Sequence, residues 1–324
     1  MPVKSYGFTI GNLRAIENRL LKKSDFVQMA AAPDVDALCA QMKDKGIGDT
    51  AGDVPTLLRQ DTEKLWRYIT ENAPDLSVFE PFLYENDFHN YKAVLKSVVR
   101  GGDYRDLLIL PALTDAAVLE RAVKEKRFDL LPEAMRSPAA QAYEALIQTG
   151  DSQLEDCLLD AGCMTAQLAK ANKDKNAVVK ELITVTVFYQ NIKAALRAAK
   201  AKKSAAFLDA ALTETGVTSK KAMVTAALSG EEALLELLEK AVDIGGAQAA
   251  EAYKTSPSVF EKYSDDRLMA TARRCKYITM GAEPLIGYML ARRAELKNLR
   301  IVYSGVKTGQ PQEKTLERLR ELYG

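Results

Sequence analysis

Residues 280–303, MGAEPLIGYMLARRAELKNLRIVY, predict one long helix with a buried face. The stretch contains the phrase Asn298, Leu299, Arg300, which recurs in outline as Asn90, Tyr91, Lys92 and as Asn191, Ile192, Lys193. The three asparagines are 101 and 107 residues apart, so the chain falls into three nearly equal parts. Two residues before each asparagine stands Phe88, Tyr189 or Leu296, and one residue after it Tyr91, Ile192 or Leu299. Four residues after it comes Val94, Ala195 or Val302, and five after it Leu95, Leu196 or Tyr303. At about 100° per residue these positions share one helix face, with the asparagine on one flank and the Lys or Arg on the other. Regular spacing and four further matching positions favour an internal triplication over three unrelated amphipathic helices. The six polar positions, Asn90, Lys92, Asn191, Lys193, Asn298 and Arg300, read as framework, with the amides bonded to nearby backbone.

Two other similarities fit a triplication. QLEDCLLDAGCMTAQLA at 153–169 resembles VFEKYSDDRLMATARR at 259–274, and VLERA at 118–122 resembles TLERL at 315–319. The expected domains are 1–129, 130–230 and 231–324.

The composition is that of a helical protein. Gly (18) and Pro (11) are scarce in 324 residues, and the abundant Ala, Leu, Lys and Glu lose little rotamer freedom in a helix. Within the second part, LITVTVFY at 182–189 is β-branched and aromatic enough to suit a strand. Its place in the repeat matches 81–88 and 289–296, which are helical in content, and a lone strand would have no partner. Helix is therefore expected there too. Helices are also expected at 6–22, from Pro33-Asp34 to Met42, at 58–70, 78–100, 131–148, 151–171 and 176–202. Near the end, separate helices are expected from Ser256-Pro257 to Ser264 and from Asp265 to Tyr277, with Asp265-Asp266 as the cap of the second. Pro311 should open a final helix whose apolar side is Leu316, Leu319 and Leu322.

Charge and motifs exclude several functions. Lys plus Arg (45) balances Asp plus Glu (44), so the basic excess of a nucleic-acid binder is missing. No run of about 18 apolar residues could span a bilayer, and the N-terminus has no signal-peptide core. These features predict a cytoplasmic protein. Cys39, Cys157, Cys163 and Cys275 form no metal knuckle and read as small apolar residues. There is no P-loop and no dinucleotide fingerprint; Gly305 to Gly309 only imitates a fragment of the former. The single histidine, His89, stands where Gln190 and Lys297 stand in the other parts, which is the pattern of a solvated surface. Asp265-Asp266 is the best enzyme candidate, as a magnesium-holding helix, but such a site needs oxygen ligands from a second segment. No catalytic, cofactor or metal residue is therefore assigned. A helical magnesium enzyme built on Asp265 and Asp266 and a general helical scaffold stand as alternatives.

The ending EPLIGYMLARRAELKNLRIVYSGVKTGQPQEKTLERLRELYG closely resembles the C-terminal signature of the C subunit of V-type ATPases. That family is the archaeal and bacterial relative of the d subunit of eukaryotic V-ATPases. The opening YGFTIGNLRAIENRLLKKSDFVQMAAAPDVDAL and the central ENDFHNYKAVLKSVVRG resemble the same family, so the similarity runs from end to end. Around Phe188 to Arg197 it is weakest. The resemblance implies an all-α fold of three similar domains, arranged as a funnel about a pseudo-threefold axis. It implies a non-catalytic coupling subunit of the central stalk, without cofactors. Its partners would be the central-shaft subunits of the ATPase head (D/F type) and the membrane rotor ring. It would lie on the cytoplasmic face of the membrane through the complex, passing torque for ATP-driven ion transport or ATP synthesis.

Overall fold

The computed structural model describes residues 5–49 and 52–324. Among them the chain is all-α, with no strand. The first four helices are α1 (Tyr6–Glu17), α2 (Lys23–Ala30), α3 (Val35–Asp44) and α4 (Val54–Asn72). Next come α5 (Glu80–Arg100), α6 (Ala116–Lys124), α7 (Glu133–Thr149) and α8 (Ser152–Lys173). They are followed by α9 (Ala177–Lys200), α10 (Ala205–Ala211), α11 (Lys220–Ser229) and α12 (Glu231–Glu239). The last four are α13 (Gly246–Thr255), α14 (Pro257–Cys275), α15 (Glu283–Lys307) and α16 (Gln312–Glu317).

The helices form two compact units. One is built from the described residues of Met1–Leu76 with Glu251–Gly324, the other from Ser77–Ala250. In the first, α15 packs on α1, α2, α3, α4 and α14. Its Leu296, Leu299 and Val302 join Phe26, Leu38, Met42 and Leu57 in one apolar core. In the second, Phe88, Tyr91, Val94 and Leu95 of α5 meet apolar side chains of α6, α7 and α8. There Gly162 of α8 faces Pro138 of α7, and a Cβ at Gly162 would come within 2.5 Å of that ring. The absence of a side chain is what lets the two helices close up at this point.

Of the twelve apolar positions that flank the three asparagines, all are buried except Tyr303, which is half-buried. The segment 182–189 lies inside α9, and Leu182, Ile183, Val185, Val187, Phe188 and Tyr189 are all buried. A helix covered on nearly every side needs apolar bulk all round, and this accounts for its strand-like composition.

Several helix ends start from predictable caps. The side chains of Asp34, Asp53, Asp115, Asn176 and Ser256 each accept a hydrogen bond from a first-turn amide of the helix that follows. Ser256 starts a single helix that runs through to Cys275, so the two separate helices expected there are one. Asp265 and Asp266 consequently lie in mid-helix and cap nothing. Residues 246–255 are helical as well, although no apolar stripe marks them. The first helix stops at Glu17, short of the expected 22. The last stops at Glu317, and the chain beyond it is fastened in non-helical form by side chains described below.

Candidate functional site

The three asparagines make one arrangement three times over. Asn90 Nδ2 donates to the Ile109 carbonyl at 3.0 Å, and its Oδ1 accepts the Ile109 amide at 2.7 Å. Asn191 does the same with Thr213, at 2.6 and 3.1 Å. Asn298 does it with Arg320, at 3.0 and 2.8 Å. The asparagines are 2%, 0% and 0% exposed. Each primary amide thus bonds both the N–H and the C=O of one residue, as a neighbouring strand would, and fastens an irregular segment 19 to 22 residues downstream to the long helix. The fastened residues, Ile109, Thr213 and Arg320, share no side-chain chemistry. VLERA at 118–122 and TLERL at 315–319 therefore do not hold matching places relative to the asparagines. By the clamp, 104–108 is the counterpart of 315–319.

The basic positions differ in setting. Lys92 belongs to an antiparallel ladder between α5 and α8: Lys92 with Asp160 at 2.5 Å, Lys96 with Asp156 at 2.6 Å, and Arg100 with the Ser152 hydroxyl at 2.7 Å. The spacing of four on both helices sets these side chains one turn apart. Fully buried Glu155 lies beside the ladder, 3.2 Å from Lys96, and burial pushes its carboxyl up. Lys193 is half-buried and Arg300 exposed.

Three residues before Asn90 and before Asn298 stand buried carboxylates. Asp87 accepts the amides of Leu113 and Thr114 at 2.8 and 3.0 Å. Burial pushes it up to about 6, although those two donors pull it down. Glu295 accepts the Leu21 amide at 2.5 Å and pairs with Arg292, which also pairs with buried Asp61. For Glu295 burial outweighs Arg292 and raises the carboxyl to about 7.

Asp265 and Asp266 are engaged by the C-terminal segment. Asp265 meets Lys297 at 2.5 Å and Arg320 Nε at 2.7 Å. Burial opposes its charge, but these two cations hold it below the usual carboxylate range. Asp266 accepts the Glu321 amide at 2.7 Å, and burial pushes it up. Lys262 donates to the Leu319 carbonyl, and Arg273 Nε to that of Leu322 at 2.9 Å. One face of α14 thus fastens residues 319–322, and a cleft of about 340 Å³ there is lined in part by Lys262, Arg273, Asn298 and Arg320. A second cleft, of about 330 Å³, is lined by Arg19, Lys45, Asp61, Lys64, Tyr68 and Arg292. Most of these charges are paired: Lys45 with Asp25, Lys64 with Asp49, Arg292 with Asp61.

Among the described residues no three His, Cys, Asp or Glu side chains come together in a way that could hold a metal ion. None of the four cysteines is in a disulfide; Cys163 and Cys275 are buried and Cys39 and Cys157 half-buried. Exposed His89 has its Nε2 3.0 Å from the Leu107 carbonyl. No described helix is long and apolar enough to cross a membrane.

What this geometry offers is fastening: long helices, each gripping a downstream segment through a buried amide. Comparison with known proteins places the chain among the subunits of a larger complex. The profile of the ATP synthase (C/AC39) subunit family matches residues 9–318, and the chain belongs to that family. It is similar to the C subunit of the V-type sodium ATPase of Enterococcus hirae, 23% identical over 318 residues, which covers 96% of this chain and 97% of the relative. It is also similar to the C subunit of the A-type ATP synthase of Desulfurococcus sp. (strain SY), 22% identical over 342 residues, covering 98% of this chain and 90% of that relative. The chain is thus a C subunit of the V/A-type ATPases.

Proposed function

We propose that this chain is the non-catalytic coupling subunit of the central stalk, joining the shaft of the ATPase head to the membrane rotor ring. The observation that carries this reading is the family match from residue 9 to 318, with almost the whole length of both relatives covered. The side chains support it. The carboxylates that could have served a magnesium site, Asp265 and Asp266, are spent on Lys297, Arg320 and the Glu321 amide. A part that transmits torque must resist deformation, and long helices with close-packed faces and buried clamps have that property. In this proposal the chain comprises three related helical repeats, 1–129, 130–230 and 231–324, with Asn90, Asn191 and Asn298 as equivalent anchors and Lys92, Lys193 and Arg300 beside them. Its partners are the central-shaft subunits of D/F type and the ring, and it sits on the cytoplasmic side of the membrane without entering it.

The test is removal of the chain from the native complex, with ATP hydrolysis and ion transport measured in vesicles. Hydrolysis by the head should persist while transport driven by it is lost. Transport at an undiminished rate per ATP in the complex lacking this chain would refute the proposal.

A further inference from the structure

The segment between α5 and α6 is pinned to α5 through four polar side chains within five positions. Asn86 Nδ2 donates to the Pro111 carbonyl at 2.7 Å, and Asp87 accepts the Leu113 and Thr114 amides. His89 lies against the Leu107 carbonyl, and Asn90 clamps Ile109 on both sides. Leu108 and Tyr104 point inward and pack on the core of their unit. With the backbone bound inward, the remaining aliphatic side chains face solvent: Leu107 is 53% exposed, Ile109 40%, Leu110 59% and Leu113 46%. Four large apolar side chains within seven residues, on a strap immobilised by hydrogen bonds, form a contact surface ordered before any partner arrives.

The other two clamps show what such a segment ordinarily receives. Thr213, held by Asn191, is 6% exposed, and its hydroxyl donates to the Ala161 carbonyl of α8. Arg320, held by Asn298, is 7% exposed and lies on Asp265 of α14. In both cases a helix covers the clamped segment. The strap at 107–113 is clamped in the same way and stays open.

We infer that residues 107–113 are a docking strap for the apolar face of an amphipathic helix from another subunit of the ATPase complex. This rests on the proposal that the chain works inside that complex. Other occupants fit less well. The four side chains offer on the order of 300 Å² of apolar surface, well below the roughly 800 Å² per partner of a free-standing interface, so a second copy of the chain would not be held by it. An added strand finds the amides of Ile109 and Leu113 already engaged. An anionic lipid surface would call for basic neighbours, and the charges beside the strap are Asp103, Arg105 and Asp106, with Arg105 bound to Asp103.

The experiment uses the native complex. A photo-crosslinking phenylalanine replaces Leu110, and separately Leu107→Ser is combined with Leu110→Ser. Cross-linking should join position 110 to one other subunit, at a peptide whose apolar residues recur every three or four positions. The double variant should be retained in the complex at least tenfold less well than wild type, and its unfolding midpoint as an isolated chain should be unchanged, because both side chains are exposed. Normal retention of the double variant, or cross-links confined to lipid or to a second copy of this chain, would overturn the inference while leaving the coupling role standing. Wild-type chain recovered with no ATPase subunit would overturn the coupling role, and this inference with it.

Discussion

Removing the amide of Asn191 should cost far more than removing that of Asn90, although the two make the same pair of hydrogen bonds in the same compact unit. Asn191→Ala strips the partner from both the amide and the carbonyl of Thr213, a residue only 6% exposed. Orphaning a buried polar group costs about 1–3 kcal/mol, so two of them predict a loss of about 3 kcal/mol. Asn90→Ala strips the same groups from Ile109, but that residue is 40% exposed and water can take the vacated place. There the net value of the bonds applies, about 1 kcal/mol for the pair. The difference of about 2 kcal/mol corresponds to about a thirtyfold change in the unfolding equilibrium. Urea denaturation of both variants, followed by a probe within residues 77–250, measures it directly. Equal losses, or a larger loss for Asn90→Ala, would show that burial of the clamped peptide does not set the strength of the clamp.

Other substitutions test separate steps. Asp87 is raised from 3.8 to about 6 by burial, so its stabilising contribution is complete below about pH 4 and is lost as pH rises through 6. The full loss is about 3 kcal/mol, and Asp87→Asn, which keeps the acceptor oxygen, should abolish that slope when urea midpoints are compared from pH 4 to 8. Gly162→Ala would drive a methyl to 2.5 Å from Pro138 and 3.1 Å from Phe88. A net destabilisation of about 1–2 kcal/mol is expected after the gain in helix propensity, readable as a lower melting temperature. Lys202 ends α9 at φ 49°, with the following amide bonded back to the Ala198 carbonyl, the geometry in which glycine is preferred. Lys202→Gly should stabilise by about 1 kcal/mol, and a fall in the urea midpoint would contradict that account.

Much of the fold was legible because helices announce themselves locally. Pro33-Asp34 and Ser256-Pro257 mark helix starts in the sequence, and Asp34 and Ser256 each cap a helix in the structure. The segment 182–189 could be read as helix only by placing it in the repeat, since its own β-branched composition argues for a strand. The break wrongly expected before Asp265 arose because two adjacent acids look like a helix start. Their real partners, Lys297, Arg320 and the Glu321 amide, lie 32 to 55 residues away in sequence, beyond any local signal. The helix at 246–255 was missed for a related reason: its buried side chains are alanines, Ala249, Ala250 and Ala252, too small to mark a face.

The clamps show a sharper limit. One half of each is an asparagine at a recurring place, and the repeat made Asn90, Asn191 and Asn298 visible. The other half is the backbone N–H and C=O of one residue, a pair that every residue but proline carries, so nothing constrains the side chain attached to it. Ile109, Thr213 and Arg320 have in common only that their N–H and C=O both turn toward an amide. Side chains at these places are then free to serve other ends. Thr213 reaches α8 and Arg320 reaches α14, while Ile109 faces outward among Leu107, Leu110 and Leu113. A search for matching letters at these three sites finds none. The same freedom is what allows one framework to close two segments on itself and hold the third open as an apolar surface.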